Sequence, residues 1–178
     1  MKKNIILFFI LLMFSTIINA KTLFLGDSLT QKIGENYKQK YKETELNYVI
    51  GSGIENKKID WFEKIKKIEL NRYNKIVISI GTNDWGINNE NSYKLKIEKF
   101  ISTIKKKNNN IDIIWILPPT IKNEKINSGV LKVKNIIKKV CNDKNIDFFD
   151  PSSIWGVKYI YSINGEKIRT KDGIHYTN

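Results

Sequence analysis

Short apolar runs alternate with stretches of helical periodicity along most of the chain. Thr22-Leu23-Phe24-Leu25 is apolar and ends at Gly26, which predicts a strand. Leu29 to about Lys42 predicts a helix with Ile33, Tyr37 and Tyr41 on one face. Leu46–Ile50 predicts a second strand, running into Gly51-Ser52-Gly53. Lys58–Ile68 reads as a helix through Ile59, Phe62, Ile65 and Ile68. Lys75–Ile80 is a third strand, ended by Gly81, and Ser92–Lys107 a helix with Leu95, Ile97, Phe100, Ile101 and Ile104 as its apolar set. Ile111–Leu117 is a fourth strand, stopped by Pro118-Pro119; Asn127 to about Asp143 is a helix, and Ile146–Phe149 a short fifth strand.

Strand and helix in alternation imply right-handed crossovers between parallel strands. The expected fold class is therefore α/β, a three-layer sandwich around a central parallel sheet of about five strands. In such sheets ligands bind in the crevice beyond the carboxyl ends of the strands. The residues that matter most are those just after each strand: Gly26-Asp27-Ser28, Gly51-Ser52-Gly53, Gly81-Thr82-Asn83-Asp84 and Pro118-Pro119.

The N-terminus follows a different pattern. Met1-Lys2-Lys3 is a short basic start, Ile5 to Ile18 is almost unbroken apolar sequence, and Asn19-Ala20 ends it. This predicts an export signal peptide over residues 1–20, followed by one domain over 21–178. The run falls short of the about 20 residues of a membrane span. The expected location is the periplasm or the exterior, with no stable membrane span after cleavage; an uncleaved anchor is the alternative.

The 178 residues fit one domain, and 41% hydrophobic with 28% charged residues is a globular balance. The net charge of +13 admits an anionic partner such as an envelope polymer. The lysines are spread over helix faces, as in Lys38/Lys40/Lys42 and Lys105/Lys106/Lys107, with no basic stripe interleaved with aromatics, so nucleic acid is not expected as a partner. The single cysteine, Cys141, cannot form an intramolecular disulfide and lies on an apolar helical stripe, which points to a buried thiol.

Three strand-end blocks carry chemistry. Ser28 follows the first strand and opens the first helix, where backbone N–H groups favour negative charge; Asp and Ser in that place are also ordinary caps. Asn83 follows the third strand and can donate to a developing oxyanion, or close a turn. His175, the only histidine, suits proton transfer near neutrality. Asp172, three residues earlier, can accept from its Nδ1–H and stabilise the imidazolium.

Gly26-Asp27-Ser28-Leu29, a glycine after the second strand, Gly81-Thr82-Asn83-Asp84 and Asp172-Gly173-Ile174-His175, in this order and each at a strand end or C-terminal loop, resemble the blocks of the SGNH (GDSL-type) hydrolases. The resemblance spans Leu25 to Thr177. It implies a flavodoxin-like sheet and a serine esterase with Ser28 as nucleophile, His175 as base and Asp172 as its orienting acid. It implies an oxyanion hole of the Ser28 N–H, a glycine N–H and the Asn83 amide. Gly53 is the first choice for that glycine and Gly51 the alternative. Asp27 and Asp84 are expected to support the site without reacting.

No metal or organic cofactor is implied. The implied substrate is a short acyl ester, such as an O-acetyl group on an envelope polysaccharide, or another acylated small molecule. A lipid esterase, an O-acyltransferase using the same site and a non-catalytic envelope-binding relic are the alternatives. Trp85, Trp115 and Trp155 are each either stacking faces for a sugar or packing residues. Members of that family continue past the histidine with a glycine and a final helix; by that comparison either the sequence is truncated or the helix is missing here, and His175 is expected on a frayed end.

Overall fold

The computed structural model describes residues 21–56 and 58–177. The expected signal peptide lies outside the described residues. Five parallel strands form the central sheet: β1 (Thr22–Gly26), β2 (Thr44–Tyr48), β3 (Lys75–Ser79), β4 (Asp112–Ile116) and β5 (Asp147–Phe149). Their spatial order is β2-β1-β3-β4-β5. The helices are α1 (Ser28–Lys40), α2 (Trp61–Lys67), α3 (Glu90–Lys107), α4 (Glu124–Asp143) and the short α5 (Ser152–Trp155). Single 3-10 turns occupy Leu70–Arg72 and Thr82–Asp84. No helix among the described residues is long and apolar enough to cross a membrane.

One sheet face carries the main core. Leu23 and Leu25 of β1, Ile76 and Ile78 of β3, and Ile113 and Trp115 of β4 point to the side filled by Phe100 and Ile104 of α3 and Val133 and Ile137 of α4. Trp115 is fully buried there, its indole N–H donating to the Ile80 carbonyl at 3.1 Å, so it is a packing residue and no sugar-stacking face. Cys141 is buried in the same cluster, and burial pushes its thiol up to about 12. It is therefore protonated and inert at neutral pH.

The other face is covered by α1. This helix lies so close that a Cβ on Gly34 would stand 2.9 Å from Leu46 and 3.3 Å from Phe24. The buried line of α1 is consequently Leu29, Thr30 and Gly34, and not the predicted Ile33 face. Ile33 instead lines a groove of about 440 Å³ beside Ile116, Phe149, Ile154, Trp155 and Tyr176. Leu95, placed by periodicity in the core set of α3, is exposed, and Tyr93 is buried in its stead.

Helix starts are set by caps. Asp27, Asp60, Asn89 and Asn123 each accept backbone N–H groups from the first turn of α1, α2, α3 and α4. Asp60 therefore starts α2 at Trp61, three residues later than the predicted start at Lys58. After α5 the chain forms a two-stranded hairpin, β6 (Ser162–Ile163) and β7 (Glu166–Lys167). Its turn residues Asn164 and Gly165 have φ of 49° and 83°, the double positive φ of a twist-matched hairpin turn. Period counting passes over these short strands; the Asn-Gly pair was the available signal.

Candidate active site

The strand order reverses between β1 and β3, which lie side by side with Gly26 opposite Ser79. A crevice opens at such a switch point. The residues after these two strands, Ser28 and Asn83, therefore share one rim although they are far apart in sequence.

The turn after β1 is held rigidly. The Asp27 N–H donates to the Ser79 carbonyl at 2.9 Å, and Asp27 Oδ1 accepts from the Leu29 N–H at 2.9 Å. The side chain is 0% exposed. Burial pushes this carboxyl up to about 7, helped by the nearby Asp84 charge and opposed by the Leu29 and Thr82 N–H groups. Asp27 braces the turn between β1 and Ser28 through these bonds.

The loop after β2 is shaped by Asp84. Its Oδ2 accepts from the Ile54 N–H at 2.8 Å and its Oδ1 from the Glu55 N–H at 2.9 Å. The Tyr93 hydroxyl donates to Oδ2 at 2.9 Å. Burial pushes the Asp84 carboxyl above its ordinary range in spite of these donors. The carboxylate presses on residue 53, where a Cβ would fall 2.1 Å from Oδ1, so only glycine fits. Gly51 sits on the turn itself, with φ 71° and its carbonyl accepting from the Asn56 side chain at 3.0 Å.

Asn83 joins the two loops. Its Nδ2 donates to the Ser52 carbonyl at 2.9 Å and lies 3.5 Å from Asp27 Oδ2. In a trans peptide the N–H points opposite to the C=O. Anchoring the Ser52 carbonyl thus fixes the Ser52–Gly53 peptide, with the Gly53 N–H directed to the side away from the Asn83 amide. Among the described residues, neither the Ser28 nor the Gly53 N–H donates to a protein acceptor. Both remain available to a ligand.

His175 arrives from the C-terminal segment. Its Nε2 lies 2.8 Å from Ser28 Oγ, and its Nδ1 lies 2.7 Å from Asp172 Oδ2. Asp172 as a carboxylate can only accept, so Nδ1 carries the proton and Nε2 is the free acceptor facing the serine. Partial burial raises the Asp172 carboxyl, but the Thr170 hydroxyl, the His175 Nδ1–H and the Ile174 and His175 N–H groups outweigh it and hold it well below the usual range. The segment is not frayed. Thr170 N–H donates to the His175 carbonyl at 2.9 Å, Thr177 N–H to Ile168 at 3.2 Å, and Lys122 N–H to Gly173 at 3.0 Å.

The structure thus gathers Ser28, Gly53, Asn83, Asp172 and His175 at one rim, with Asp27 and Asp84 behind them. Sequence reading missed Ser52, whose carbonyl is met by Asn83 from across the sheet, and Tyr93 and Thr170, whose hydroxyls reach Asp84 and Asp172 nearer in sequence. No cluster of metal-binding side chains occurs among the described residues. Trp85, next to Asp84, is 45% exposed, while Trp155 packs on Tyr176 with ring centroids 5.0 Å apart.

Comparison with known proteins matches residues 21–178 to the family DUF459, proteins of unknown function. The chain belongs to the DUF459 family. No curated protein matches it in sequence. Solved structures do share its fold. A GDSL-like lipase from Bacteroides thetaiotaomicron is similar with a TM-score of 0.65 and 17% identity, over 89% of this chain and 80% of that one. The acetyl xylan esterase AlAXEase gives 0.66 and 22%, over 88% and 91%. An aryl esterase from M. smegmatis gives 0.60 and 14%, over 89% and 91%. This DUF459 chain therefore has the SGNH/GDSL hydrolase fold, as its strand-end blocks imply.

Proposed function

We propose that this DUF459 protein is a serine ester hydrolase acting on short acyl esters, above all O-acetyl groups on cell-envelope polysaccharide. The reading rests on one observation: Ser28 Oγ, both nitrogens of His175 and the Asp172 carboxylate form a continuous hydrogen-bonded relay of 2.8 and 2.7 Å.

The chemistry follows from that relay. His175 Nε2 takes the Ser28 hydroxyl proton as Oγ attacks the ester carbonyl carbon. Asp172 stabilises the imidazolium so formed. In this reading the Ser28 and Gly53 N–H groups and the Asn83 amide stabilise the developing oxyanion. Collapse breaks the ester bond, and the alcohol leaves with the proton from His175. Water, deprotonated by the same nitrogen, attacks the acyl-serine carbonyl and frees the acid and Ser28.

The glycan part of the proposal is supported by Trp85, an exposed indole beside the Asn83 rim. Its envelope setting is supported by the apolar run at residues 5–18, read as an export signal, and by the +13 charge, which suits an anionic polymer surface.

The deciding experiment is acetate release from O-acetylated envelope glycan and from p-nitrophenyl acetate, with Ser28→Ala and His175→Ala beside the wild type. Turnover of both, lost in both variants, supports the full reading. Turnover of the simple ester alone retains the esterase and discards the glycan. Glycan retention without any acetate release favours a binding module.

A further inference from the structure

We propose that Arg169 is a positioning residue for His175, stapling the hairpin that carries Asp172 and His175 to the loop after β4. The inference rests on the reading of Ser28 and His175 as nucleophile and base.

The hairpin lies outside the five-stranded sheet. It folds back on itself between Ile168 and Thr177, with Arg169 bridged to Tyr176 and a turn from Thr170 to Gly173. Its internal bonds fix Asp172 against His175, but they cannot fix either of them against Ser28. That requires a link from the hairpin to the loop after β4, and the Arg169 guanidinium supplies one while holding the His175 arm with its other nitrogen. Nη1 donates to the Ile174 carbonyl at 2.5 Å, one peptide before His175. Nη2 donates to the Thr120 carbonyl at 2.8 Å, just past Pro118-Pro119 at the end of β4.

The guanidinium is itself immobilised. Arg169 is only 4% exposed. Its carbon lies 4.4 Å from the Tyr176 ring centroid and 6.0 Å from those of Trp155 and Tyr159. No carboxylate forms a salt bridge with it among the described residues. A buried cation held by two carbonyls and three rings, with no acid paired to it, is expensive to keep unless its geometry is used. A planar fork sets the spacing of the two carbonyls it joins, which a lysine ammonium cannot do. Arg169 is one of only two arginines in a chain whose other basic residues are lysines. The remaining link from the hairpin to this loop, Lys122 N–H to the Gly173 carbonyl, holds the turn and leaves the His175 arm to Arg169.

The test compares Arg169→Ala and Arg169→Lys with wild type and Ser28→Ala on p-nitrophenyl acetate, well below each melting temperature. Misplacing a reacting group by about 1 Å costs up to about a hundredfold in rate. Both Arg169 variants are therefore expected to lose about ten- to a hundredfold in kcat with KM little changed. Millimolar guanidinium should restore part of the turnover of Arg169→Ala, where a cavity is left, and none of that of Arg169→Lys. If Arg169→Ala does not fold, Arg169→Lys, which keeps charge and stem, decides by its kcat alone. Wild-type kcat in a folded Arg169→Lys, or a lowered melting temperature with kcat and KM both unchanged, would overturn the proposal. If Ser28→Ala turns over as fast as wild type, the nucleophile assignment itself has failed and the positioning role with it; that result is separate from the Arg169 comparison.

Discussion

Ser28 and His175 are separated by 147 positions in sequence, yet Oγ and Nε2 stand 2.8 Å apart. The serine opens α1 just after β1, and the histidine comes from a hairpin outside the sheet. Their meeting is a property of the whole fold. Removing either side chain should lower kcat by about a thousandfold or more, and the double variant should be little worse than the worse single one, because the pair acts as a unit. Steady-state kinetics of Ser28→Ala, His175→Ala and the pair check this. Independent, multiplicative losses would argue that they are not one relay.

Asn83 and Gly53 should separate by phenotype. Asn83→Ala removes the amide proposed as an oxyanion donor, for which a kcat loss of about 10²–10³ with little change in KM is expected. Gly53→Ala forces a methyl group onto the Asp84 carboxylate at 2.1 Å. It should destabilise the fold by about 1–3 kcal/mol as well as lowering kcat. Melting curves recorded beside the kinetics distinguish the two. A Gly51→Ala variant with a larger loss of kcat than Gly53→Ala would move the oxyanion assignment to Gly51.

Tyr93 supports this loop from behind. Tyr93→Phe withdraws the hydroxyl that donates to Asp84 Oδ2 in the core. A buried hydrogen bond to a charged group is worth about 1.5–3 kcal/mol. Urea denaturation should register a loss of that order. An unchanged midpoint would mean that the Ile54 and Glu55 N–H groups alone satisfy Asp84.

Asp27 gives stability a definite pH dependence. Its carboxyl is raised to about 7 in the folded protein, well above its unfolded value of 3.8. A raised carboxyl favours folding while protonated, so its contribution is whole below about pH 4 and is lost as pH rises through about 7. Asp27→Asn keeps an acceptor for the Leu29 N–H and removes the titration. The stability advantage of Asp27→Asn over wild type should grow between pH 4 and 7 and level off above. Melting temperatures across that range test the sign; an advantage that shrinks with pH would refute it. Asp172 acts oppositely, because its carboxyl is lowered and its contribution fades as pH falls below the ordinary carboxylate range.

Trp85 bears on the substrate. If a sugar ring stacks on it, Trp85→Ala should raise KM on O-acetylated glycan by about two- to thirteenfold, from a stacking contribution of about 0.5–1.5 kcal/mol. The kinetics on p-nitrophenyl acetate should stay the same. Equal changes on both substrates would assign Trp85 to the rim of the catalytic crevice and leave the glycan without a subsite.

Much of this molecule is legible from local sequence. The five strands, the main helices and the strand-end positions of Ser28 and Asn83 follow from side-chain period and from Gly, Pro, Asp and Asn punctuation, which act between near neighbours. The pairing of Asp172 with His175 is also local, since a turn of three residues brings them together. The strand order that sets Ser28 beside Asn83 was decided only in three dimensions. So were the anchoring of the Ser52 carbonyl by Asn83, the exposure of Leu95, the burial of Trp115 and the Arg169 staple behind His175. Each depends on which distant segment lies opposite, and that is settled by packing and hydrogen-bond satisfaction over the whole chain. The single sequence records which groups can react; the register of the sheet and the tethering of one hairpin determine which of them meet.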